Sequence, residues 1–138
     1  MRPKRSNKKD LEKMQSRLCW LYLLNAAVLI THEIDSAYWH EWELFNIPGG
    51  IQGFVVVNLL LVIVLLYGLQ ALVMGRSSGI IFSWLLVAGG LLAVVIHTYF
   101  ILKGSEAFRL PASLVLLLGT LVLSLAQAFA LLRARRRA

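Results

Sequence analysis

Acidic residues are scarce in this chain. It holds seven Asp and Glu among 138 residues, against 14 Lys and Arg, for a formal net charge of +7. Cysteine is nearly absent. Cys19 stands alone, so an intramolecular disulfide is impossible and a Cys-based zinc site within one chain is excluded. Cys19 reads as a small apolar residue near the inner end of a helix. Internal repeats are lacking, and so is any paired pattern of broken helices of the kind that builds inverted-repeat transporters. The length fits one domain.

Hydrophobic sequence, by contrast, is abundant. A hydrophobic content of 59% and a mean hydropathy of +0.73 exclude an ordinary soluble fold. The pattern predicts an all-α integral membrane protein, an antiparallel bundle of four transmembrane helices near residues 16–38, 51–74, 80–102 and 110–132. Basic tails at 1–15 and 133–138 flank this domain, and residues 1–10 are expected to be disordered. A cleaved signal peptide is the competing reading of the N-terminus. Asn25 stands where a cut after Ala27 wants a small residue, which favours an uncleaved helix. Pro48-Gly49-Gly50 marks a turn, and Pro111 suits the first turn of the last helix. Between these landmarks, Tyr38, Trp39, Trp42 and Phe45 form one face of an amphipathic piece, with His40, Glu41 and Glu43 opposite, a composition suited to the membrane interface.

Charge placement predicts orientation. Seven basic residues lie in 2–17 and four in 133–137. With the N-terminus inside, 12 basic residues face inward and only Lys103 and Arg109 face outward. The positive-inside rule then puts both termini in the cytoplasm. Because the basic clusters flank hydrophobic helices, the expected partner is anionic lipid, with no role for nucleic acid.

The stretch 31–45 carries the chemistry. The apolar run 18–30 covers only about 20 Å at ~1.5 Å per residue, whereas a bilayer core is about 30 Å thick. The first helix must therefore continue through His32, Glu33 and Asp35 to about Tyr38. Ionisable groups below the membrane surface are costly and mark candidate sites. Helical spacing places Asn25, His32 and Ser36 on one stripe, flanked by Asp35 and Trp39, with Glu33 and His40 on a second stripe. Asn58, His97 and Ser113 fall at a similar outer depth on the other helices. The candidate pocket is Asn25, His32, Glu33, Asp35, Ser36, Asn58 and His97.

Three readings of that pocket stay open. His32, Asp35 and His97 suit a divalent metal, zinc or iron, with His40 and Glu43 closing over it. His32 and His97 could instead ligate a haem b. The groups could also form a structural network with Lys103 and Arg109. The matching functions are a metal-binding protein or metal-dependent membrane enzyme, or else a non-catalytic subunit or small transporter. The latter would work as a homo-oligomer or in a larger membrane complex. A second polar stripe, Ser113, Thr120, Ser124 and Gln127, and the small residues Ala88, Gly89, Gly90 and Ala93, predict close helix contacts.

The segment HEIDSAYWHEWELFNIPGG, followed by Gln52-Gly53-Phe54 and Asn58, resembles an uncharacterised family of small bacterial four-helix membrane proteins. The resemblance implies a protein of the bacterial inner membrane and brings no activity with it. A looser similarity is to membrane proteins with a His-x-x-Glu-Glu motif. This chain departs from that motif, with Asp35 and Ser36 in the third and fourth positions after His32.

Overall fold

The computed structural model describes residues 5–136. It has five helices: α1 Arg5–Tyr38, α2 Glu41–Leu44, α3 Ile51–Val73, α4 Ser77–Leu102 and α5 Pro111–Arg135. No strand occurs among the described residues. Among the described residues, four segments are long and apolar enough to cross a membrane: Lys9–Tyr38, Ile51–Val73, Ser77–Leu102 and Pro111–Arg135. α2 is a single turn between the first two.

α1 starts earlier than the sequence predicts. Residues 5–10, expected to be disordered, are helical. No Gly or Pro interrupts Arg5–Tyr38, and Lys, Leu, Glu, Met and Gln dominate its first turns, all good helix formers. The ends of both basic tails, residues 1–4 and 137–138, lie outside the described residues. Pro111 occupies the first turn of α5, where its missing N–H costs nothing.

α1 packs on α5, α5 on α4 and α4 on α3, and a lighter contact between α3 and α1 closes the ring. The bundle is apolar outside and polar at its centre. Val55, Val56, Val57, Leu59 and Leu60 of α3 are all exposed, while Asn25, Ser36, Ser83, Thr120, Ser124 and Gln127 are fully buried. In lipid, exposed hydrocarbon is not penalised, so helices associate through small residues and hydrogen bonds. Gly90 is one such contact: a Cβ there would run into Ser124 and Thr120 of α5. Its neighbour Gly89 meets nothing within 4 Å, so the small patch of α4 works through one glycine, not two.

The two ends of the bundle differ. At one end, Tyr22 donates to the Leu65 carbonyl at 3.0 Å, and Gln15 donates to the Leu72 carbonyl. Lys13, Arg17 and Arg133 lie at this end, the tail pole. At the other end, the last turns of α1 and α4 meet the first turns of α3 and α5. Trp42 stacks near Phe54 with ring centroids 5.5 Å apart, and Phe45 near Phe100 at the same distance. This is the histidine pole.

Candidate functional site

Two polar layers cross the interior. In the middle layer, Asn25 Nδ2 donates to Gln127 Oε1 at 2.9 Å and to Ser124 Oγ at 3.3 Å. Ser124 Oγ donates back to Asn25 Oδ1 at 3.4 Å, and Gln127 Nε2 reaches the Ser83 carbonyl at 3.4 Å. Ser83 and Thr120 hydroxyls close on their own helices, on the Gly79 and Leu116 carbonyls. Buried polar groups need partners, and this layer supplies them. Asn25, expected in the candidate pocket, belongs here instead. Seven residues separate it from His32, about 10 Å along the helix.

The second layer forms the histidine pole. His32 and His97 are 1% and 2% exposed, and their rings meet edge to face with centroids 4.5 Å apart. His97 Nδ1 lies 2.7 Å from the Ala93 carbonyl. A carbonyl can only accept, so Nδ1 carries the hydrogen, and in the neutral ring Nε2 is then a lone pair. That lone pair faces Glu41 Oε2 at 3.8 Å. The separation suits an ion pair and is too long for a direct hydrogen bond. Glu33 lies within electrostatic reach of His97, Glu41 and Asn58.

The chain delivers Glu41 by a sharp reversal. Trp39 donates back to the Asp35 carbonyl, and His40 then takes the left-handed region at φ 52°. α2 therefore folds back beneath the end of α1, and Glu41 turns inward. Burial alone would raise the Glu41 carboxyl. The facing His97 and Ser36 outweigh burial and hold it below the usual carboxylate range.

Asp35 does not join the histidines. Its Oδ1 accepts from Ser113 Oγ at 2.9 Å, and Ser113 Oγ accepts from Trp39 Nε1 at 3.2 Å. Three residues on, at ~100° each, Asp35 points about 60° away from His32, toward α5 rather than α4. His40 and Glu43 are exposed, and His40 lies against Trp42 with centroids 5.0 Å apart. Neither closes over the pocket. Among the described residues, no three His, Cys, Asp or Glu side chains are grouped so that they could hold a metal ion. The direct ring contact of His32 with His97 also leaves no room for a porphyrin plane between them. Lys103 and Arg109 stay outside the cluster: Lys103 sits over Tyr99, 5.7 Å from its ring centroid, and Arg109 pairs with Glu106 at 3.8 Å.

Sequence reasoning missed Phe108 as a site residue. It is 2% exposed, and its ring meets His97 at 4.2 Å and His32 at 6.5 Å. Its φ of 64° is costly for a bulky residue. The signal was a lone aromatic inside a short polar loop. Glu41 was missed because the reversal at a non-glycine His40 has no sequence mark.

Much of this layer is unsatisfied. Both ring nitrogens of His32, His97 Nε2, Asp35 Oδ2, Ser36 Oγ, Glu41 Oε2 and Asn58 Oδ1 are buried without a hydrogen-bond partner among the described residues. Each such atom costs about 1–3 kcal/mol.

The family model described as a family of unknown function, DUF6713, matches residues 18–134. That is most of the chain, and the protein belongs to this family. No curated protein and no solved structure matches it.

Proposed function

We propose that this DUF6713 member is a bacterial inner-membrane protein whose histidine pole binds a small polar or cationic guest. The four long helices run antiparallel with both termini in the cytoplasm, so the pole faces outward. The 12-to-2 split of basic residues supports that orientation. Export-dependent reporter fusions at Pro48 and Ser77 test it: activity at Pro48 alone is expected, and activity at Ser77 alone would reverse the topology.

One observation carries the site reading. The lone pair of His97 Nε2 and a carboxylate oxygen of Glu41 face each other inside the protein, 3.8 Å apart. Two acceptors stay together only when a positive charge is shared between them. A proton on His97 Nε2 would make imidazolium and carboxylate an acid–base pair across that gap. His32, with both nitrogens unpartnered among the described residues, offers a second imidazole to the guest, and Glu33, Ser36 and Asn58 stand nearby. Phe108 and Trp39 close it from the loop side. His97 and Glu41 would handle a proton, and His32 would contact the guest.

The free nitrogens of His32 favour a second form of the same reading, in which the guest is a divalent metal such as zinc or iron. Glu41 would then replace Asp35 as the carboxylate ligand, and side chains would have to turn toward one another to reach it. The hydrogen bond of His97 Nδ1 to a carbonyl is a common support for a metal-bound imidazole. Calorimetric titration of zinc and iron(II) into chelator-stripped protein separates the forms. Saturable one-site binding that His32→Ala and Glu41→Gln each abolish supports the metal. No binding rejects it and leaves the proton-sharing pair.

A further inference from the structure

The tail pole carries a second feature, built independently of the histidines. Asp10, Lys13, Arg17 and Leu21 recur along one face of α1. They border a cleft of about 390 Å³ against α5, within the usual range of small-ligand sites. On α5 the facing residues are Ala126, Phe129, Ala130 and Arg133. The two alanines are short and leave the groove between the helices unfilled, and Phe129 forms a wall. Three cations against one acid leave the rim positive. Lys13, Arg17 and Arg133 are exposed and make no ion pair among the described residues.

Depth separates rim from floor. Tyr38 to Arg17 spans about 32 Å along α1, and Pro111 to Arg133 about 33 Å along α5, at ~1.5 Å per residue. Both lengths match a hydrocarbon core of about 30 Å. If the histidine pole lies at one membrane surface, Arg17 and Arg133 lie at the headgroups of the other. Leu21 and Phe129 then lie one turn deeper, among acyl chains. Cations above an apolar groove between two spanning helices match a lipid that has a negative head and hydrocarbon tails. A soluble anion would have no use for the groove.

We propose that this cleft binds one anionic diacyl phospholipid, its phosphate held by Lys13, Arg17 and Arg133 and an acyl chain lying along Leu21 and Phe129. Native mass spectrometry of the full chain released from detergent tests this. The probes are phosphatidylglycerol, phosphatidylcholine with the same chains, and inorganic phosphate. A one-to-one phosphatidylglycerol adduct is expected, held more tightly than phosphatidylcholine. Arg17→Gln with Arg133→Gln should weaken it roughly 30-fold, at about 1 kcal/mol per basic side chain. Arg76→Gln, in the α3–α4 turn outside the cleft, should leave it unchanged. If the double variant fails to fold, Lys13→Gln alone carries the test with an expected loss of about fivefold. Equal retention of both lipids, or an equal loss in Arg76→Gln, would overturn the site. Displacement of the lipid by phosphate alone would overturn it as a lipid site.

Discussion

The Asn25–Gln127 layer and the His32–His97 layer lie two helical turns apart, on the same inward stripe of α1. In the first, the side-chain amides and hydroxyls reach each other or a backbone carbonyl. In the second, seven buried polar atoms have no hydrogen-bond partner among the described residues. Both layers hold buried nitrogen and oxygen atoms, so burial alone does not tell them apart. The difference lies in closure. A closed network in lipid joins helices. An open one costs stability, and a protein keeps it where something else uses those atoms.

That contrast can be broken by substitution. The largest effect should come from Gly90→Leu, which drives a side chain into Ser124 and Thr120 and prises α4 off the middle layer. Overpacking costs about 1–3 kcal/mol and sometimes more, so a drop of many degrees in the detergent melting temperature is expected. Gly89→Leu, one residue away, faces open space and should melt like the wild type. Equal damage from both would mean that Gly89 also sits in a helix contact.

Asn25→Leu comes next. It strands Gln127 and Ser124, at about 1–2 kcal/mol. His32→Leu is its opposite number. It removes two unpartnered nitrogens at similar volume, so melting should hold or rise while any guest is lost. A closed middle layer and an open histidine layer require these two variants to diverge. Matching losses would make the histidine layer structural as well.

The smallest effect is a pH dependence at Glu41. Its carboxyl is lower in the folded protein than its ordinary value of about 4.3. The stability it contributes is therefore complete above that value and fades as pH falls through the folded one. Wild type should melt higher than Glu41→Gln at neutral pH, and the gap should narrow as the carboxylate is protonated in acid. A gap that stays constant in acid would mean that the charge of Glu41 plays no part in holding the pole together.

Much of this was legible in the sequence. Four apolar runs gave the spanning helices because a bilayer demands ~20 apolar residues per crossing. The short apolar run before His32 pointed to a first helix that continues through the ionisable groups, and α1 does run unbroken to Tyr38. The 3.6-residue period grouped Asn25, His32 and Ser36, and it grouped Ser113, Thr120, Ser124 and Gln127; all seven are buried. Partner choice was not legible. Asp35 sits three residues from His32, a spacing compatible with shared ligation, yet a serine on α5 takes it. Glu41 reached the pocket through a left-handed His40, and Phe108 through a left-handed loop residue. Those positions depend on backbone reversals that neither residue type advertises.

On the proposed reading, His97 and Glu41 hold a positive charge between them. Nitrogen-15 NMR of histidine-labelled protein in a membrane mimetic tests it most directly, with wild type beside Glu41→Gln. The expected result is a His97 Nε2 resonance that shifts in the variant while Nδ1 keeps its hydrogen bond to the Ala93 carbonyl. An unchanged Nε2 resonance across the pH range would show that nothing is shared between the two residues, and would contradict the proposed site.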